Sequence, residues 1–252
     1  MIRKFILLII LFGFLPVKGQ NILKRLEPFD TVEVSNKTKK DIDSAFEIVK
    51  NAPIFFKNKK QIANNCENRS QFVYLVLEKL GFKPVNFWLF KEGLVENKYT
   101  TTSDVKKSIG LTYNTKIGRK PNVFWGYHVA TGVIVNDDDK KKIYIFDPWT
   151  QDVLVSLKAW SLSFFGTQTN RTAYVLPVNG LYKYYGTKEL GQVSLLKDKW
   201  QENLDESKNQ MYCGLAGITP NHKCEKKRFR RKILNKKVEI ELYLKNYGIS
   251  LK

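Results

Sequence analysis

Two β-rich runs, residues 123–135 and 140–148, flank the turn-forming segment Asn136-Asp137-Asp138-Asp139, and this pattern constrains the chain more than any other. Branched and aromatic side chains recur in both runs, as a pleated, half-buried surface requires, and the polar quartet between them marks an antiparallel hairpin. If those four residues are the loop, Val135 faces Lys140 and His128 lies directly opposite Asp147. Side chains directly across such a pair share a face, with Cβ atoms about 4.5–5.5 Å apart. Their neighbours on that face, Ala130, Gly132, Ile143 and Ile145, are apolar or small, so the hairpin sets an imidazole beside a carboxylate in dry surroundings. A one-residue bulge would break the pairing.

A second constraint is the segment 64–82. Phe72, Val76 and Leu80 recur at i, i+4 and i+8 with Val73 and Leu77 beside them, which predicts a helix with one buried face. Asn64 or Asn65 caps its start and Gly81 its end. Cys66 falls in the first turn, where unpaired backbone N–H groups and the positive dipole end favour a thiolate. Elsewhere the pattern predicts a short helix over 41–50 capped by Asp41 or Asp43, a strand over 85–90, a short helix within 154–165 carrying Trp160, and a strand over 174–181. Residues 238–244 alternate apolar and polar side chains as a last strand would, with helix the alternative. Residues 91–121, rich in Thr, Lys and Gly, are a long connection, read as a flap on the substrate side. Alternation puts Trp125 and Tyr127 on the face away from His128, where they pack.

At 252 residues and 43% hydrophobic side chains, the chain suits one core with appendages, and disorder throughout is excluded. No apolar run approaches the roughly 20 residues of a membrane span, so a polytopic membrane protein is excluded too. Arg3 and Lys4 followed by an apolar stretch to Pro16 and the small-residue ending at Gly19 read as a signal peptide over 1–19. This implies export, either secreted or periplasmic. The expected divisions after it are a lead-in over 20–45, a catalytic domain over 46–222 and a basic segment over 223–252. Export permits disulfides, and the three cysteines are odd in number. Cys213 and Cys224 flank a loop containing Gly214, Gly217 and Pro220 and are the expected pair, which leaves Cys66 alone. A lone thiol in an exported protein is either core filler or a nucleophile.

A cysteine at a helix start and a His–Asp pair on a hairpin are the parts that thiol catalysis needs. The imidazole takes the thiol proton and later returns it to the leaving group, and the carboxylate fixes its tautomer. The Cys66 backbone N–H is a candidate oxyanion donor, as are the side chains of Asn64 and Asn65, although a capping role suits those two better. The bland alternatives are a core histidine bonded to Asp147 and a buried structural thiol. The other histidine, His222, sits beside Lys223 in the expected disulfide loop and suits a surface role. Cys213, His222 and Cys224 supply only three ligands without a metal-site spacing, so neither metal nor cofactor is expected.

The same residues resemble a known family. Cys66-Glu67-Asn68-Arg69 with the downstream Leu80-Gly81-Phe82 is similar to the nucleophile segment of the bacterial protein-glutaminases. Trp125-Gly126-Tyr127-His128-Val129-Ala130 resembles their Trp-x-Tyr-His-Val-Ala motif, Phe146-Asp147-Pro148 their Asp-Pro segment, and Ala159-Trp160 an Ala-Trp just beyond. The resemblance spans residues 60–165. It implies an α+β, cysteine-protease/transglutaminase-like core in which a Cys-bearing helix packs on an antiparallel sheet. It also implies an enzyme that deamidates glutamine in proteins or peptides, with Cys66 as nucleophile, His128 as acid–base and Asp147 as orienting group. Arg69 matches the motif, and a structural ion pair suits it as well as a site role. Transglutaminase-like or thiol-protease chemistry would use the same triad. The sequence departs from the family in a longer interval between Cys66 and His128 and in having only residues 20–65 where relatives carry a sizeable inhibitory pro-region.

The chain carries 43 Lys and Arg against 24 Asp and Glu, a net charge of +19, and nine of the basic residues crowd into 223–237. That cluster could serve a non-catalytic basic binding module, or be a solvated face. Phe229 is the single stacking side chain within it and no nucleic-acid motif is present, so nucleic acid is not the expected partner. The expected partners are protein or peptide substrates, acidic ones among them, bound by a monomer without stable membrane insertion.

Overall fold

The computed structural model describes residues 22–25, 32–54, 66–91, 111–114, 122–125, 127–138, 140–165, 172–179, 204–218 and 226–251. In chain order the strands are β1 (Ile22–Arg25), β2 (Val34–Ser35), β3 (Pro84–Lys91), β4 (Leu111–Asn114), β5 (Asn122–Trp125), β6 (Tyr127–Asp137), β7 (Lys140–Phe146), β8 (Val155–Ser156) and β9 (Thr172–Asn179). The helices are α1 (Lys39–Asn51), α2 (Cys66–Lys79), α3 (Leu157–Leu162), α4 (Leu204–Leu215) and α5 (Lys227–Lys245), with a 3₁₀ turn at Ser163–Phe165. The expected signal peptide, Asn64, Asn65, His222 and Cys224 lie outside the described residues, as does most of 91–121.

The main sheet runs β1-β9-β3-β6-β7-β8, with β2 also paired to β6, and it is open rather than closed. The β1–β9 and β2–β6 pairs are parallel and the others antiparallel. Strands β4 and β5 form a separate two-stranded sheet, so the expected single run over 123–135 is divided between two sheets.

The hairpin has a tighter turn than the sequence suggests. Asp137 pairs with Lys140 and Val135 with Lys142, which corrects the expected register by two positions. Asp138 adopts a left-handed backbone at φ 51°, a conformation that Asp tolerates and tight hairpin turns need. The polar quartet is a turn signal, but Asn136 and Asp137 are consumed by the ladder. Because side chains alternate with a period of two, the shift preserves the face of every residue. Continuing the ladder beyond Thr131–Phe146 sets Asp147 across from Ala130, one diagonal step from His128 instead of directly opposite it.

The two faces of the sheet are covered by different layers, giving an α+β fold. Val133, Val135 and Phe146 pack beneath α1, α2, α4 and α5 through Phe46, Phe72, Val76, Met211, Ile240 and Leu244. On the other face, Val85, Phe87, Ala130, Ile145 and Val175 pack against Leu157, Trp160 and Phe164 of α3 and the turn after it.

Local chemistry explains the helix ends. Thr38 and Asp41 form a capping box at the start of α1, so Asp41 is the third helical residue and not the cap expected from sequence. Gly81 at φ +78° ends α2, and Phe82 N–H reaches back to Leu77 O at 3.0 Å, as expected for a glycine stop. The segment expected as a last strand is helical, inside α5. The apparent alternation splits on the helix into a buried pair, Ile240 and Leu244, and an exposed pair, Val238 and Leu242.

Candidate active site

Cys66, His128 and Asp147 are placed by three different elements. Helix α2 begins at Cys66, His128 is the second residue of β6, and Asp147 follows the last residue of β7. The backbone turns at Asp147, whose carbonyl accepts from the N–H groups of Thr150 (3.1 Å) and Gln151 (2.9 Å). All three side chains are buried.

His128 Nε2 meets Asp147 Oδ2 at 2.8 Å. The same oxygen accepts from Trp160 Nε1 at 2.9 Å and from the Thr150 hydroxyl. Burial raises the pKa of the carboxyl, but His128 and the donors from Thr150 and Trp160 outweigh it, so Asp147 lies below the usual carboxylate value. The imidazole is walled by the rings of Phe164, 4.9 Å away between centroids, and Trp160, 5.8 Å away. Trp160 therefore both packs on the imidazole and donates to the carboxylate that holds it. The sequence signal for that role was the Ala159-Trp160 echo.

The sulfur lies at the edge of the same strand. The β6–β7 ladder ends at Thr131–Phe146, and beyond that end the Val129 backbone N–H donates to Cys66. The thiol also contacts Glu67 Oε2 at 3.4 Å. The structure thus brings His128 and Asp147 into direct contact and sets Cys66 against the residue that follows His128.

The thiolate expected at a helix start is not what this environment favours. Burial and then the Glu67 carboxyl push the Cys66 thiol well above its ordinary value, and Arg69 and the Val129 N–H offset only part of this. A helix terminus contributes a partial charge, whereas complete burial removes the solvation of a full one.

Arg69, left open between a structural and a site role, is in the site. Its buried guanidinium lies over the Trp149 ring at 5.1 Å and is within electrostatic reach of Cys66, Asp147 and Glu67. Burial lowers its pKa while those three groups act against the shift.

Helix α2 is pinned to the sheet by a buried polar knot that sequence reasoning missed. Ser70 Oγ donates to Asn86 Oδ1 at 2.7 Å, and Thr131 Oγ1 lies 2.7 Å from Asn86 Oδ1 and 2.6 Å from Ser70 O. The available signal was Asn86 and Thr131, polar positions inside otherwise apolar strands. At Gly214, α4 approaches α2 so closely that a Cβ would collide with Asn68. The side chains of Trp125 and Tyr127 lie outside the described set.

Residues 42–164 match a family model described as glutaminase. This segment is a glutaminase-family domain. It contains every site residue named above. The chain is also similar to the NMR structure of protein-glutaminase from Chryseobacterium proteolyticum, at 16% identity over 73% of this chain and 90% of that one, with a TM-score of 0.46. Against a crystal structure of pro-protein-glutaminase the identity is 18% over 77% and 67%, with a TM-score of 0.48. Against a crystal structure of protein-glutaminase it is 18% over 71% and 89%, with a TM-score of 0.45. No curated protein matches the chain. Within the glutaminase domain and the rest of the described residues, no helix is long and apolar enough to cross a membrane, and no group of His, Cys, Asp and Glu could hold a metal ion.

Proposed function

We propose that the glutaminase domain deamidates glutamine side chains of proteins or peptides, using Cys66, His128 and Asp147. The observation that carries this reading is the buried His128–Asp147 pair at 2.8 Å, with the Cys66 sulfur on the N–H of the next residue along β6. With Nε2 engaged by Asp147, Nδ1 is the nitrogen that exchanges a proton with the thiol. The resting sulfur is protonated, so His128 removes its proton as substrate binds. The thiolate adds to the carboxamide carbon, and backbone N–H groups hold the oxyanion. His128 then protonates the departing nitrogen, ammonia leaves and a thioester remains. Water, deprotonated by His128, cleaves the thioester to release glutamate and restore the thiol. General acid–base help of this kind contributes roughly 10²–10⁴-fold, and each oxyanion donor roughly 10²–10³-fold.

The same reading includes removal of residues 1–19 on export, action as a monomer, and a Cys213–Cys224 bridge. Cys213 is buried in α4, the helix that presses on α2 at Gly214, so a bridge there would brace the nucleophile helix from behind.

The test is incubation of the purified protein with a glutamine-rich protein, followed by ammonia measurement and mass spectrometry of the substrate. Ammonia release with amide-to-acid mass gains at glutamine, abolished in Cys66→Ala, is the expected result. Crosslinked substrate would mark amine transfer and fragments would mark proteolysis. Undiminished ammonia release from Cys66→Ala would overturn the assignment of the nucleophile.

A further inference from the structure

We propose that helix α5 docks the protein on an anionic lipid surface, through an exposed aliphatic stripe framed by cations. The helix is held to the core on one side only. Ile240 and Leu244 are buried, Tyr243 Oη donates to Ile48 O at 2.9 Å, and Lys236 Nζ donates to Pro53 O at 3.0 Å. Its outer side carries Leu234, Val238 and Leu242, exposed by 58%, 45% and 61%. These three recur every fourth residue and form one stripe about 12 Å long.

The charges around the stripe select its occupant. Lys226, Lys227, Arg228, Arg230, Arg231 and Lys232 are all exposed at one end, and exposed Lys245 stands at the other. At 100° per residue, Lys227, Arg231 and Lys245 lie along the same line as the three aliphatic side chains. The acidic residues of α5 are matched internally: Glu239 pairs with Lys236 at 2.6 Å and Glu241 with Lys237 at 4.0 Å. An aliphatic stripe in a cationic frame is what an interfacial helix presents to anionic headgroups and the acyl boundary beneath them. Nucleic acid and anionic polysaccharide would use the cations but give the stripe nothing to bury against. A second copy of this helix would set cations against cations in either direction of packing.

The surface lies outside the glutaminase-family segment and does not depend on the chemistry at Cys66. The test is co-sedimentation of the protein with vesicles of phosphatidylcholine mixed with phosphatidylglycerol, and with vesicles of phosphatidylcholine alone. Wild type should pellet with the mixed vesicles only. The triple variant Leu234→Gln/Val238→Gln/Leu242→Gln should lose roughly tenfold or more of that partitioning while keeping its retention on heparin. Should the triple variant also lose heparin retention, the single variant Val238→Gln decides, with a smaller loss on vesicles and none on heparin. Equal vesicle binding by variant and wild type, absence of wild-type binding, or a stripe-dependent dimer or DNA complex would each overturn the proposal.

Discussion

His128 Nε2 and Asp147 Oδ2 are 2.8 Å apart, and both side chains are nearly inaccessible, at 1% and 3% exposed. The carboxylate receives three donors on one oxygen, so it is fixed before any substrate arrives. Asp147→Asn preserves volume but removes the charge that stabilises the imidazolium and disturbs the tautomer. The kcat for ammonia release should fall roughly 10³–10⁴-fold with little change in KM, read by steady-state kinetics. Linkage adds a second readout. A carboxyl whose folded pKa lies below its ordinary 3.8 contributes stability above that value and loses it as pH falls through the folded pKa. Urea unfolding should therefore weaken less steeply below about pH 4 in Asp147→Asn than in wild type; parallel pH profiles would count against it.

Trp160→Phe keeps a ring against His128 but deletes the Nε1 donor to Asp147. Losing one buried donor to a charged acceptor should cost about 1–3 kcal/mol of stability. It should also raise the carboxyl pKa towards its ordinary value. Chemical denaturation and the acid limb of the activity profile check both effects.

Alkylation of Cys66 by iodoacetamide should be slow at neutral pH, because burial and Glu67 keep the sulfur protonated. The rate should climb with pH beyond the ordinary thiol range. Glu67→Gln removes the second of those causes, so its alkylation curve should shift to lower pH. An unchanged curve would mean that Glu67 does not hold the thiol.

Thr131→Val leaves the shape of β6 intact but takes a hydroxyl from the knot joining Ser70 and Asn86. The expected loss is about 1–3 kcal/mol, measured by thermal or urea unfolding. Activity should fall with it, since the knot holds the helix that begins at Cys66.

Much of this arrangement is legible from local pattern. The helix over 64–82, its glycine stop and the two strands of the hairpin announce themselves through periodicity and turn chemistry. The observed register differs by two positions from the one the sequence suggests, because all four turn-forming residues suit a loop and only the steric demands of the turn decide how many enter the ladder. The face of each side chain is the same in both registers because a two-residue slip leaves alternation unchanged. The end of the chain was ambiguous for a related reason: apolar residues at every second position satisfy a strand, and they also give two opposed stripes on a helix.

The order of residues alone singled out the side chains proposed for the chemistry: a cysteine at a helix start, and a histidine and an aspartate on one face of a hairpin. Three other matters depended on the tertiary structure, namely the depth at which the sulfur is buried, the diagonal approach of imidazole and carboxylate, and the convergence of Arg69, Thr150 and Trp160 on the site. Each depends on contacts between segments distant along the chain. Desolvation and hydrogen bonding act through space, and periodicity records only which way a side chain points, never what comes to meet it.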